Sequence, residues 1–197
     1  VSVQNAMITL DESDETTKGP LLITHKGISG PAVLKLSAWA ARELERRNYE
    51  FTVNINWCGV SFKECMKVLK GLRDEKAKQD PATLNPFGLP KRLNKKLFSR
   101  SGISGIKMAE LGNKALEKWA RVLSEYPFKV KGKATNKEEF VTCGGVNLQE
   151  VDSKTMESKL LKNVYFAGEV LDIDAITGGF NFQACWSGAN LAAHSMS

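Results

Sequence analysis

Phe51-Thr-Val-Asn-Ile-Asn-Trp57 alternates strictly, with Phe51, Val53, Ile55 and Trp57 on one face and Thr52, Asn54 and Asn56 on the other, and is the clearest strand pattern in the chain. Before it, Val1-Ser-Val and Met7-Ile-Thr-Leu10 alternate like short strands broken by the acidic turn Asp11 to Glu15, and Pro20 to Thr24 reads as another strand. Gly27-Ile-Ser-Gly-Pro31 then interrupts the β pattern. Pro31 sits at the first turn of a predicted helix whose apolar positions include Val33, Leu36, Ala40 and Leu44, with Arg46, Arg47 and Asn48 at its end. After Trp57 the period changes. Ser61-Phe-Lys-Glu64 is a capping box, followed by Phe62, Cys65, Met66, Leu69 and Leu72 at helical spacing with lysines opposite. A turn-rich stretch, Asn85 to Pro90, leads into a basic helix from Lys91 to about Arg100; Ser101 to Gly105 is a break, and Met108, Leu111, Ala115, Trp119 and Val122 mark a further amphipathic helix. Strand patterns return at Phe128 to Lys131 and Glu139 to Thr142, so a mostly helical unit of residues 58–124 is set inside a β-rich one of residues 1–57 and 125–142.

Charge sharpens that division. Of the net +6, residues 63–133 hold 18 basic against 7 acidic residues, while the flanking segments are slightly acidic. Such a basic face suits a polyanion such as nucleic acid, or is only a solvated helical surface, the reading favoured by the lack of any aromatic-rich nucleic-acid motif beside it. With 42% hydrophobic residues among 197, the chain can build a real core. It has no apolar run long enough to span a bilayer and no signal-peptide pattern, so no membrane partner is expected. Cys58, Cys65, Cys143 and Cys185 are scattered, with only His25 and His194 to help, which argues against a zinc site and for a reducing, cytoplasmic setting. His25 reads as a loop residue, and no nucleophile-histidine-carboxylate set points to a hydrolase.

The chemistry concentrates near the end. Asn163-Val-Tyr-Phe-Ala-Gly-Glu169 reads as an apolar strand closing on Gly168 and Glu169, where a carboxylate could accept bonds from ribityl or ribose hydroxyls or simply cap the next turn. Thr177-Gly-Gly-Phe-Asn-Phe-Gln183 then opens a helix of small residues. Gly178 and Gly179, with Phe180, Asn181 and Gln183, would present free amides and a positive dipole end to an electron-rich ring or a pyrophosphate; Asn181 could instead cap the helix. Thr142, Gly144 and Gly145 form a glycine-bearing turn that could line the other side of a flavin, or be a hairpin turn alone. Cys143, between them, reads as an inert small core residue, and Met156-Glu-Ser-Lys159 is either a charged loop or a shaper of the same pocket. A Gly-x-Gly-x-x-Gly turn, the usual other half of such a site, does not occur, so the chain is expected to be part of a longer polypeptide.

These segments are similar to a known family. Thr24 to Pro31, Phe140 to Val146, Thr155 to Lys159 and Tyr165 to Gln183 resemble, in order, the BaiN/YhiN-like flavoproteins, also described as aminoacetone oxidase family FAD-binding enzymes or NAD(P)/FAD-dependent oxidoreductases. Cys143 and Ala175 depart mildly from the family pattern, which often has Ala and Gly there. The resemblance implies an α+β chain: a β-barrel-like insert domain carrying a helical subdomain, then residues 143–197 as the C-terminal strand-and-helix segment of a glutathione-reductase-like α/β FAD domain. It implies FAD as cofactor of the whole protein, NAD(P)H as a candidate reductant, and the absent N-terminal half as a partner without which this segment holds little FAD. Gly168 and Glu169 would be the ribityl-contacting strand end, Gly178 to Asn181 the helix start at the ring, and Thr142 to Gly145 a pocket wall; no catalytic acid and no metal ligand is identified. Substrates implied by the resemblance range from small amines and bile-acid intermediates to uridine in ribosomal RNA. A non-catalytic binding module acting through the basic helices, on nucleic acid or protein, is the alternative.

Overall fold

The alternating segment forms β4 (Glu50–Asn56), with Val53 and Ile55 almost fully buried, in a computed structural model that describes residues 1–133 and 141–196. β4 lies between β1 (Ser2–Leu10) and β5 (Tyr126–Lys131), and the sheet continues through β2 (Thr16–Ile23) to a two-residue edge, β3 (Ile28–Ser29), in the order β3-β2-β1-β4-β5. Every ladder in it is antiparallel; Leu10 pairs with Val53 and Phe51 with Val130. Alternation along β1 and β4 puts Ala6, Ile8, Leu10, Val53 and Ile55 on the buried face, as the period of two requires.

The two short strands expected before residue 11 are one strand. A register shift between Val3 and Ala6 absorbs the irregular polar pair Gln4-Asn5, so pairing runs through it. The acidic stretch is the β1–β2 turn, closed by Leu10 N–H to the Glu15 carbonyl at 3.0 Å. Closure of the sheet into a barrel is not formed among the described residues: β3 and β5 are its edges. Of the strand expected at Glu139 to Thr142, Glu139 and Phe140 lie outside the described residues, and Val141 and Thr142 have no regular structure.

Six helices are described. The one expected from Pro31 is two, α1 (Pro31–Trp39) and α2 (Ala41–Arg46). The capping box is realised at α3 (Phe62–Glu75): the Ser61 hydroxyl accepts from the Glu64 N–H at 3.2 Å and Glu64 Oε2 accepts from the Ser61 N–H at 2.9 Å. α4 (Lys91–Arg100) spans the basic segment, and α5 (Asn113–Ser124) packs against both α3 and α4. Met108 belongs to a separate 3-10 turn, Met108–Glu110, because Gly112 and Asn113 restart the chain as a helix only after it. The Phe98 and Trp119 rings meet edge-on at 5.0 Å, joining α4 to α5.

The chain divides into two compact units. The first comprises Val1–Leu36 with Arg47–Gly132 and holds the sheet and α3 to α5; the second comprises Ser37–Arg46 with Lys133–Ser197 and holds α2 and the long C-terminal helix α6 (Gly179–Met196). Val151, Met156, Leu171 and Ala192 form the core of the second unit, with Val146, Tyr165, Phe166 and Ile173 packed against it. Among the described residues no helix is long and apolar enough to cross a membrane, and no cluster of His, Cys, Asp or Glu could hold a metal ion.

Candidate functional site

Two glycine-bearing segments of the second unit are joined backbone to backbone. Val146 and Leu171 form a parallel bridge, with Val146 N–H donating to the Val170 carbonyl at 2.8 Å and Asp172 N–H to the Val146 carbonyl at 3.0 Å. Gly145 makes this approach possible. A Cβ there would stand 2.6 Å from the Val170 carbonyl oxygen and the Leu171 carbonyl carbon, and its φ is +151°. The expected pocket wall, Thr142 to Gly145, is therefore held beside the residues that follow Gly168 and Glu169. Its neighbour Gly144 differs: at φ +109° its Cβ position faces open space.

The segment Val164 to Gly168 is not the strand its apolar run suggests. It makes one isolated bridge, Tyr165 to Glu157, and Ser158 N–H donates to the Val164 carbonyl at 2.7 Å. Phe166 N–H donates to the Met156 carbonyl at 3.0 Å on the other side of that bridge, but a strand needs a continuous ladder, and among the described residues the pairing extends no further. Gly168 stands in a turn at φ +86° with its carbonyl accepting from Leu171 N–H at 3.2 Å, and Glu169 is exposed.

Gly179 opens α6 where expected. The Cβ position of Gly179 meets nothing within 4 Å, that of Gly178 meets only the Phe180 ring, and the Gly179 and Phe180 amides find no acceptor among the described residues. Asn181 is buried and neither caps the helix nor points outward. Its Oδ1 accepts from Ala175 N–H at 3.0 Å and its Nδ2 donates to the Ala175 carbonyl at 3.1 Å, tying the preceding loop to the helix. Gln183 is exposed and donates to the Ser187 hydroxyl at 3.0 Å. The rest of α6 is unlike a surface helix: it has no Asp, Glu, Lys or Arg, and Phe180, Phe182 and Trp186 are 64%, 61% and 66% exposed, with the last two rings stacked at 6.1 Å. Large aromatic side chains exposed together on an uncharged helix mark a surface that packs against something else.

A charged cluster lies in the same unit. Arg42, from α2, bonds Asp172 Oδ1 through Nη2 at 2.5 Å and approaches Asp174 at 3.7 Å. The Cys143 thiol is pushed above its usual range by its hydrogen bond to Asp174 and by burial, so it keeps its proton and is a poor nucleophile at neutral pH. Local reading missed Arg42, which lies 130 residues from Asp172; Asp172 and Asp174, on alternate positions just after the Gly-Glu pair, were the only available signal. Met156-Glu-Ser-Lys159 is a loop anchored at Met156, Glu157 and Lys159. Met156 is in the core at φ +61°, Glu157 accepts from Asn163 N–H at 2.8 Å, and Lys159 Nζ donates to the Gln149 carbonyl at 2.9 Å. In the first unit, Thr24 closes the turn carrying the exposed His25, its hydroxyl donating to the Gly27 carbonyl at 3.1 Å.

Residues 4–195 match the family described as HI0933-like protein Rossmann domain. The chain belongs to this flavoprotein family. It is 31% identical over 170 residues to a ribosomal RNA dihydrouridine synthase of Escherichia coli, covering 86% of this chain and 40% of that protein. It is 32% identical over 184 residues to the protein of the same name from Haemophilus influenzae, covering 90% and 42%. It is also 30% identical over 178 residues to a 3-dehydro-bile acid delta(4,6)-reductase of Clostridium scindens, covering 88% and 43%. The chain thus spans less than half the length of these relatives. Membership accords with the resemblance to BaiN/YhiN-like proteins and implies, at the level of the family, a flavin oxidoreductase.

Proposed function

We propose that the full-length protein is an FAD-dependent oxidoreductase in which residues 141–196 supply one side of the flavin site, the other side coming from the part of the polypeptide that the relatives have and this chain does not span. The supporting observation is the start of α6. Gly178 and Gly179 leave the helix end open to close approach, two amides there lack acceptors among the described residues, and none of those residues comes within 4 Å of the Gly179 Cβ position. Such an end favours an electron-rich group, whether a pyrophosphate or the carbonyl edge of a reduced flavin. FAD, when bound, supplies hydride transfer, with NAD(P)H a candidate reductant; the residues of this chain hold and polarise it.

Each residue then takes a limited role. The Gly179 and Phe180 amides donate to the cofactor; Gly168 and Gly144 leave room for it; Glu169 offers an exposed carboxylate to its hydroxyls. Gly145 and Asn181 act one step back, the first by letting two backbones meet and the second by fixing the loop at Ala175. The uncharged, aromatic face of α6 is the surface on which the remainder of the FAD domain packs, with Phe180, Phe182 and Trp186 covered in the whole protein. The bile-acid reductase and the dihydrouridine synthases share the saturation of a carbon–carbon double bond as the reaction their names denote, and a reduction of that kind is the activity we assign to this protein.

Replacing Gly179 by Leu tests this reading, because the chain itself leaves room for the side chain. In the full-length protein the variant should melt as the wild type does when both are stripped of cofactor, yet retain FAD at least tenfold less well on gel filtration. Equal retention would remove the α6 start from the site.

A further inference from the structure

The outward face of α4 is charged against the interest of its own stability. Lys91, Arg92, Lys95, Lys96 and Arg100 are all exposed, and the helix contains no acidic residue. Its first turn carries Lys91 and Arg92 where the helix dipole is positive; the N-cap is Pro90, and no side chain caps the end. Positive charge at that end is unfavourable, and a helix selected for stability alone would place acids there. Among the described residues none of the five forms an ion pair, whereas Arg73 and Arg121 elsewhere in this unit pair with Asp74 and Glu125. The lysines of α3 are also interleaved with Glu64, Asp74 and Glu75. Of α3, α4 and α5, only α4 has basic residues with no acidic residue among them.

The helix is also held firmly from within. Leu97 and Phe98 are buried, Phe98 against Trp119, and buried Asn94 donates to the Leu84 carbonyl at 2.7 Å. The turn before it is locked by Asn85, which accepts from Leu89 N–H at 3.0 Å and donates to the Leu89 carbonyl at 2.7 Å. Arg92, Lys96 and Arg100, four residues apart, make one row about 12 Å long, and Lys91 and Lys95 a second beside it. No large hydrophobic side chain of α4 is exposed, so the face has charge but no stacking platform. That combination fits the phosphates of a folded, base-paired RNA, read by shape and backbone, better than unstacked bases. Arginine at two positions suits bidentate contact with phosphate oxygens.

We propose that Lys91, Arg92, Lys95, Lys96 and Arg100 of α4 seat the phosphodiester backbone of a structured RNA that carries the base to be reduced. The proposal rests on the oxidoreductase reading for the reaction, and on the charged face alone for the binding.

The experiment uses full-length protein and a fluorescein-labelled stem-loop RNA, with affinity measured by anisotropy over a range of salt concentrations. The variant R92Q/K95Q/K96Q/R100Q should bind roughly 30-fold or more weakly at low salt and flatten the slope of log K against log salt by about 3. R92K/R100K should keep the wild-type slope, and the single variants R92Q and R100Q should each flatten it by about 1, which tests the face even if the fourfold variant folds poorly. The control K63Q/K67Q/K70Q in α3 should change little. An unchanged slope in the α4 variants, an equal loss in the α3 control, or equally tight binding of poly-glutamate at α4 would overturn the proposal, the last in favour of an acidic protein partner. Visible spectra of the same samples separate the two readings. RNA binding that depends on α4 in a protein without flavin would leave this inference standing and end the oxidoreductase reading; flavin-loaded protein with RNA binding indifferent to α4 would do the reverse.

Discussion

The buried side chain of Asn181 clasps Ala175 at both of its backbone groups, with N–H to Oδ1 at 3.0 Å and Nδ2 to carbonyl at 3.1 Å. Asn181→Ala would strand both groups and should destabilise the protein by about 1–3 kcal/mol. Asn181→Asp should be at least as harmful, since a carboxylate accepts from the N–H but repels the carbonyl. Thermal melts of the two variants check this; an aspartate variant as stable as the wild type would show that the clasp is dispensable.

Glycines in this chain divide by what surrounds them. Gly145→Ala puts a methyl 2.6 Å from the Val170 and Leu171 backbone at a φ of +151° and should cost about 2 kcal/mol or more. Gly71, in the middle of α3 with nothing within 4 Å of its Cβ position, should respond oppositely: Gly71→Ala is expected to stabilise by about 0.5–1 kcal/mol. Denaturant midpoints for the pair decide the matter, and the same sign for both would contradict it.

The Ser61–Glu64 cap carries a pH signature. Hydrogen bonds from Ser61 hold the Glu64 carboxyl below its ordinary value of 4.5. A carboxyl depressed on folding contributes stability above its unfolded pKa and loses it as pH falls through the lower folded value. Stability curves of the wild type and Glu64→Gln should therefore stay parallel above pH 5 to 6 and converge below about pH 4. Curves parallel down to pH 3 would mean that the carboxylate contributes nothing. Ser61→Ala should cost about 1 kcal/mol at neutral pH.

Cys143 donates its proton towards Asp174, so its alkylation by iodoacetamide should need a higher pH than that of a free thiol. Asp174→Asn removes the carboxylate charge while leaving Arg42 nearby and should move the reactivity profile to lower pH. An unshifted profile would contradict the contact. Cys65, fully buried, should react only on unfolding.

What could be read from sequence was local. The face of β4, the Ser61 cap and the bounds of α4 all follow from spacing within one element, and all three hold. The failures needed knowledge of distant partners. Val164 to Gly168 is apolar enough for a strand yet has only one bridge among the described residues, and Val1 to Leu10 looks interrupted yet is carried through by pairing with β2 and β4. Arg42 carries no local mark of its tie to Asp172, and Asn181 offers two plausible local roles while serving a third. In the candidate site the backbone features, the glycines and the start of α6, were legible because glycine marks conformation directly. The side-chain contacts were not, because they depend on residues brought together only by folding.

The central claim is that the whole protein holds FAD, and its visible absorption spectrum tests that most directly. Full-length protein purified without added cofactor should be yellow and, after denaturation, release about one FAD per chain, as a single site requires. A colourless protein that also fails to take up added FAD would contradict the account.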